Sequence, residues 1–247
     1  MLIAMLISGR IDNYYDLKKI LDNSTEHIIH LFLSINDDYE ENKIFYDNFK
    51  DLFKKYIKQI YIKKYVCYDN FINTNIDTIN NGNVYLKTLS CFYNDNNCFK
   101  LADEFENMNS INYELFVRYR SDIISDGLPN FNNYDKNILY VVKPFNYFTL
   151  AITNNPKGEY KNERRYCYGN TKYDGKYVTG DIAYGSKELM KIYCNCYDYI
   201  IEQNGINNGN YFICFEYNLT TYLYDSNVNF LFFDFDYKYN TDRFIKQ

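Results

Sequence analysis

The sequence predicts a soluble, single-domain α/β protein with a mixed, mostly parallel sheet flanked by helices. Three observations carry that expectation. The first half alternates short apolar runs with amphipathic segments, the pattern of strands joined by crossover helices. At 247 residues the chain suits one large domain whose core needs no disulfide or metal to hold it. No apolar stretch approaches the ~20 residues that a membrane span requires.

The elements follow in order. Leu2 to Ile7 is a buried strand ending in the loop Ser8-Gly9-Arg10. Tyr14, Leu17, Ile20 and Leu21 share one helical face. Ile28 to Ile35 is a second buried strand, and Ile44, Phe45, Phe49, Leu52 and Phe53 mark an amphipathic helix. Gln59 to Ile62 is a third strand. Residues 67–82 have Asn-rich turn composition, closing at Asn81-Gly82-Asn83. Val84 to about Met108 is helical, with a break at Asn94-Asp95-Asn96-Asn97 that caps a second helix carrying Phe99, Leu101, Ala102 and Phe105. Tyr113 to Tyr119 is the fourth strand, ending in Arg120-Ser121-Asp122.

The second half is less regular. Ile138 to Val142 reads as a strand and 154–180 as a long loop holding Arg164-Arg165. Gly180-Asp181 opens a helix from about Ser186 to Gln203, followed by an Asn/Gly turn at 204–210. The tail from Tyr211 mixes a helix with the apolar run Phe230 to Phe235.

Composition narrows the function classes. A formal charge of −5 argues against a duplex nucleic-acid binder, which needs a basic face. Tyrosine is abundant (30 residues), and we read it as half-buried filler with wet hydroxyls, not as a base-stacking surface. Seven scattered cysteines and two histidines, His27 and His30, offer no disulfide framework and no His/Cys metal cage. With an apolar start too short and too uncharged for a secretory signal, the expectation is reduced thiols in a cytoplasmic protein.

Ligands of open parallel sheets bind beyond the carboxyl ends of the strands. Two polar clusters fall there: Ser8-Gly9-Arg10 and Arg120-Ser121-Asp122. Along an extended strand Arg118, Arg120 and Asp122 share a face. Two guanidiniums beside a carboxylate suit a divalent cation and a diphosphate held together. An Arg/Asp salt bridge closing the strand end is the alternative reading.

Several segments carry a resemblance. They are Ser90-Cys91-Phe92-Tyr93-Asn94, Cys98 to Leu101, Tyr113 to Ile123, Gly180 to Ser186, and Tyr193-Cys194-Asn195-Cys196-Tyr197. In that order the chain resembles GT-A-fold nucleotide-sugar glycosyltransferases of large DNA viruses and of bacterial capsule and lipopolysaccharide clusters. The resemblance runs from Leu2 to about Ile200. It implies a GT-A-like (Rossmann-like) fold, with residues 1–125 as the nucleotide-sugar-binding half and 126–247 as the acceptor-side half. It also implies sugar transfer from a nucleotide diphosphate donor, such as a UDP-sugar, to a saccharide hydroxyl, in the host cytoplasm for a viral protein.

Ser8, Gly9 and Arg10 would then meet the nucleotide, with Tyr93 and Asn94 bordering the donor or merely ending a helix. Arg118 and Arg120 would face the diphosphate. Asp122 would match the final Asp of the D-x-D metal motif common in this fold, which implies Mn²⁺ or Mg²⁺. Arg120 stands where that motif's first acidic residue would be, and an arginine there would take over part of the metal's neutralising role. Ile182 replaces a family glutamine. Asp181 is the candidate general base, with helix capping as its alternative role. Arg164 and Arg165 would close over the diphosphate or stay solvated. A rival from another class is a non-catalytic binding or structural protein that keeps the fold. A sugar-phosphate nucleotidyltransferase would show a Gly-rich loop longer than Ser8-Gly9-Arg10.

Overall fold

The apolar run at the N-terminus becomes the strand around which the sheet is laid. The computed structural model describes residues 1–9, 11, 14–36, 40, 42–63, 78–143, 177–206 and 215–239. Leu2–Gly9 forms β1, paired in parallel with β2 (Ile28–Asn36) on one side and β4 (Leu115–Tyr119) on the other. Beyond β2 lies β3 (Ile57–Lys63), also parallel. On the other side β7 (Ile182–Gly185) runs antiparallel to β4 and to β6 (Leu139–Val142). Last comes β8 (Phe230–Phe233), parallel to β6. The order is β3-β2-β1-β4-β7-β6-β8, so β7 is the one antiparallel member of a mostly parallel seven-stranded sheet. A small second sheet pairs β5 (Ile123–Ile124) with β9 (Lys238–Tyr239).

Side chains of β1 alternate between two cores, as the pleat requires. Ile3, Met5 and Ile7 pack with Leu17 and Ile20 of α1 (Tyr14–Asn23) and Phe49 and Phe53 of α2 (Lys43–Phe53). Ala4 and Leu6 face the opposite core, with Leu89, Phe92 and Phe99 of α3 (Thr78–Asn109). The same core takes Met190 of α4 (Lys187–Cys194), Ile200 of α5 (Cys196–Ile206) and Leu219 of α6 (Phe215–Asp225). Helices therefore cover both faces, which is why the central strands read as continuous apolar runs. Among the described residues no helix is long and apolar enough to cross a membrane.

Several sequence expectations are corrected. Helix α3 is continuous across 78–109, with no break at Asn94-Asp95-Asn96-Asn97 and with 78–83 inside the helix. Those polar side chains find tertiary partners instead of capping a new helix. Asn94 bonds Ser34 and the Ser90 carbonyl, Asp95 bonds Ser8 and Arg118, and Asn96 bonds Asn195. On α2 the buried face is Tyr46, Phe49 and Phe53, while Ile44 is exposed.

Ile182 to Gly185 is a strand and not the approach to a helix. Helix α4 starts after it, capped by Ser186, whose side chain accepts from the Leu189 amide. Asn195 then separates α4 from α5, and the helix reaches Ile206, into the expected turn. Of the expected loop at 154–180, residues 154–176 lie outside the described residues, as do Arg10, Arg164 and Arg165.

Gly180 sits where α6 meets the start of β7. A methyl group added there would overlap the ring of Phe215, which is itself stacked on Phe92 at 4.3 Å between centroids. The Gly180→Ala variant is expected to lose about 1–3 kcal/mol through overpacking. Each kcal/mol lowers the melting temperature of a domain this long by about 2–4 °C. Gly127→Ala, which meets nothing within 4 Å, is the control and should melt with the wild type in the same thermal scan.

Candidate active site

The chain passes from β1 outward to β2 and β3, then returns through α3 to place β4 on the other side of β1. Strand order reverses between β1 and β4, and the crevice at their carboxyl ends is where an open α/β sheet binds ligands. Ser8 and Gly9 end β1, Tyr119 ends β4, and Arg120 follows it at the same edge. Because β7 is antiparallel, its beginning lies at that edge too, with Tyr119 opposite Ile182. Asp181 therefore arrives beside Arg120.

Two linked networks result. In the deeper one, the Asp95 carboxylate on α3 accepts the Ser8 hydroxyl at 2.5 Å and Arg118 Nε at 3.1 Å. Arg118 Nη2 reaches Ser8 Oγ at 3.4 Å, and Nη1 donates to the Asp181 main-chain carbonyl at 3.1 Å. All of these side chains are buried. Burial works to lower the Arg118 pKa, but Asp95, assisted by Tyr193 and Asp181, outweighs it and raises the value, so the guanidinium stays charged. Asn94 continues the polar floor by accepting the Ser34 hydroxyl at 2.7 Å.

The outer network centres on Arg120, whose side chain is 36% exposed. Its Nε lies 2.7 Å from Asp122 Oδ1, Nη2 donates to Asp122 Oδ2 at 2.9 Å, and Nη1 donates to Asp181 Oδ1 at 3.1 Å. The other Asp181 oxygen, Oδ2, accepts the hydroxyls of Tyr237 at 2.9 Å and Tyr239 at 2.7 Å. Arg120 also lies over the Tyr239 ring, 4.9 Å from its centroid. Burial raises the Tyr237 and Tyr239 pKa values, and the neighbouring Asp181 charge raises them further, so both hydroxyls are donors at neutral pH.

The structure thus brings together Ser8, Asn94, Arg118, Arg120, Asp122 and Asp181. Gly9 follows Ser8 with φ +94°, a conformation that excludes a side chain by strain even though a Cβ would meet open space. Tyr93 packs edge-on against Tyr197 of α5 at 5.4 Å. Ser186, and not Asp181, caps helix α4.

Three residues were missed: Asp95, Tyr237 and Tyr239. Asp95 shares a helical stripe with Phe92, Phe99 and Ala102, and a carboxylate on an apolar stripe is a signal that it has a buried partner. The two tyrosines continue the alternation Phe233, Phe235, Tyr237, Tyr239, which a reading of 230–235 as one apolar run cuts short.

Three carboxylates face two guanidiniums, so the cluster carries one net negative formal charge. Among the described residues no group of three or more His, Cys, Asp or Glu side chains could hold a metal ion. The donor set therefore fits no preformed cage. Asp122, the residue expected to hold a cation, instead has both carboxylate oxygens against Arg120. No protein-family model matches the chain, and no curated protein matches it.

Removing one member of the deep pair should expose its role. Asp95→Ala leaves Arg118 buried and uncompensated, a loss expected near 3–5 kcal/mol. The double variant Asp95→Ala with Arg118→Met removes the orphaned charge and should recover more than half of that loss. Urea unfolding of the three chains measures it. Equal instability of single and double variants would mean that packing, not charge pairing, accounts for the loss.

Proposed function

We propose that the chain is a glycosyltransferase of GT-A type, moving a sugar from a nucleotide diphosphate donor to a saccharide hydroxyl. The observation that supports this most is the position of the Arg120 network in the strand-reversal crevice, beside a glycine-ended strand. A guanidinium has five N–H donors, and Asp122 and Asp181 occupy three on Arg120, which leaves two for a diphosphate oxygen. The order of the sequence motifs supports the same reading.

In this reading Ser8 and Gly9 line the nucleotide side, where the left-handed backbone of Gly9 lets the donor approach main chain. Arg120 meets the leaving diphosphate, and Arg118 stays behind it as a fixed positive charge. Asp181 takes the acceptor proton. Asp122 would hold Mn²⁺ or Mg²⁺, which supplies further neutralisation of the diphosphate when bound. A second reading, a binding or structural protein without transfer chemistry, is favoured by one observation: each guanidinium is already paired with a carboxylate of the same chain.

A thermal-shift series with UDP, GDP, CDP and dTDP sugars, with and without Mn²⁺, tests the proposal. A ligand at ~100 times its dissociation constant stabilises by about 2.7 kcal/mol. That is on the order of 5–10 °C for a domain of this length. Because the cluster is net negative, the shift should be larger with Mn²⁺ than without. Arg120→Met should reduce it by at least half, measured against the variant's own unliganded melting temperature, which falls because the buried Asp181 loses its cation. No shift with any nucleotide at millimolar concentration would overturn the proposal, and a shift without sugar turnover would select the second reading.

A further inference from the structure

The carboxylate that the proposed reaction needs as a base is shielded. Asp181 is 2% exposed, and Arg120, Tyr237 and Tyr239 occupy both of its oxygens. A general base must lie within hydrogen-bond reach of the proton it removes, directly or through one intermediary. Arg120 is no intermediary, since a guanidinium does not give up its proton at ordinary pH. Tyr237 is itself buried, at 4% exposed. Tyr239 is half-buried, lies at the outer side of the cluster against the half-exposed Arg120, and donates to Asp181 at 2.7 Å.

We infer that Tyr239 is a catalytic residue that relays the acceptor's proton to Asp181, an inference that rests on the glycosyltransferase reading above. As the acceptor oxygen forms its bond to the anomeric carbon, its proton passes to Tyr239 Oη. The proton already on Tyr239 passes to Asp181 Oδ2. The bond from the anomeric carbon to the diphosphate oxygen breaks, and its electron pair leaves with the diphosphate. Tyr239 ends as it began, and Asp181 ends neutral until it returns its proton to solvent.

The geometry couples the two charge changes. Arg120 contacts Asp181 through Nη1 and has two N–H donors left for the leaving group. Negative charge disappears from Asp181 as it appears on the diphosphate, with the same guanidinium between them. That is stabilisation realised in the transition state and not in the ground state, the kind that accelerates the chemical step. The high proton affinity of the Tyr239 hydroxyl, raised by burial and then by Asp181, makes a free phenolate costly and both transfers concerted.

The test uses the full chain and whichever nucleotide sugar stabilises the wild type in the thermal series, with simple glycosides as acceptors. Tyr239→Phe keeps the ring on Arg120 and removes the relay. It should lower kcat by 10²-fold or more while the dissociation constant for the donor stays within threefold. Tyr237→Phe removes the other hydroxyl bond to the same oxygen, and its kcat should fall less than that of Tyr239→Phe. Asp181→Asn combined with Tyr239→Phe should be no slower than the worse single variant, because the two residues act as a unit. In mixed light and heavy water the wild-type rate should bow below a straight line, since two protons move together, and any residual rate of Tyr239→Phe should fall linearly. A transferring wild type whose Tyr239→Phe variant keeps full kcat overturns the relay alone. A wild type that transfers nothing from any donor overturns the glycosyltransferase reading and the relay with it.

Discussion

A carboxylate in the middle of a long helix, paired with an arginine on a central strand, ties the sheet edge together. Asp95 and Arg118 are both nearly inaccessible, so water cannot solvate either charge and each needs the other. The pair does more than neutralise itself. Asp95 also takes the Ser8 hydroxyl at the end of β1, and Arg118 also takes the Asp181 carbonyl before β7. One ion pair therefore sets the mutual positions of α3, β1, β4 and β7 at the edge where their ends converge. Hydrophobic packing alone is tolerant of small slides, whereas a buried charge pair with directional bonds is not. The outer Arg120 network inherits its placement from this inner one, because the same Asp181 carbonyl also accepts the Arg120 amide at 3.0 Å.

The tyrosine-rich composition acquires a physical sense from the second core. Phe233, Phe235, Tyr237 and Tyr239 succeed one another with ring centroids 5.8–6.4 Å apart, while Asp234, Asp236 and Lys238 between them are exposed. The period is two, so one edge of the segment is aromatic and the other is wet. At its inner end the apolar bodies give way to hydroxyls, and those hydroxyls fall on Asp181. Phenylalanine at 237 and 239 would keep the packing and lose the contact with the carboxylate. Tyrosine is used there for both halves of its chemistry.

What the sequence disclosed follows from which signals are local. β1 to β4 and helices α1 and α2 are legible because sheets buried on both faces give unbroken apolar runs and surface helices give a stripe. Ser8, Arg118, Arg120 and Asp122 are legible as polar residues in or just beyond strand ends, whereas Asp181 is reached only through the order of the motifs, before what reads as a helix and is a strand. The continuity of α3 is not legible, because Asn94 to Asn97 has the composition of a cap and only the distant partners Ser8, Ser34, Arg118 and Asn195 make it helical. β7 is four residues of mixed size and ends in glycine, too short to show alternation. Asp95, Tyr237 and Tyr239 were hidden for a related reason. Each becomes a site residue only through a contact made across 23 or more positions of sequence.

The same topology accounts for the arginine at 120. Here the pairing of Tyr119 with Ile182 brings residue 120 directly alongside Asp181, main chain to main chain. Asp181 is buried, and Asp122, in the turn that follows β4, bonds the Arg120 side chain. An aspartate at 120 would put three carboxylates within one crevice against the single guanidinium of Arg118, which Asp95 already engages. Like charges at that spacing in a poorly solvated site cannot all remain ionised. Arginine resolves the conflict and hands the crevice a cation that is still partly exposed. The arginine at 120 and the burial of Asp181 are thus linked through one backbone pairing. The result is a guanidinium that is paired with two carboxylates and still partly exposed at the crevice.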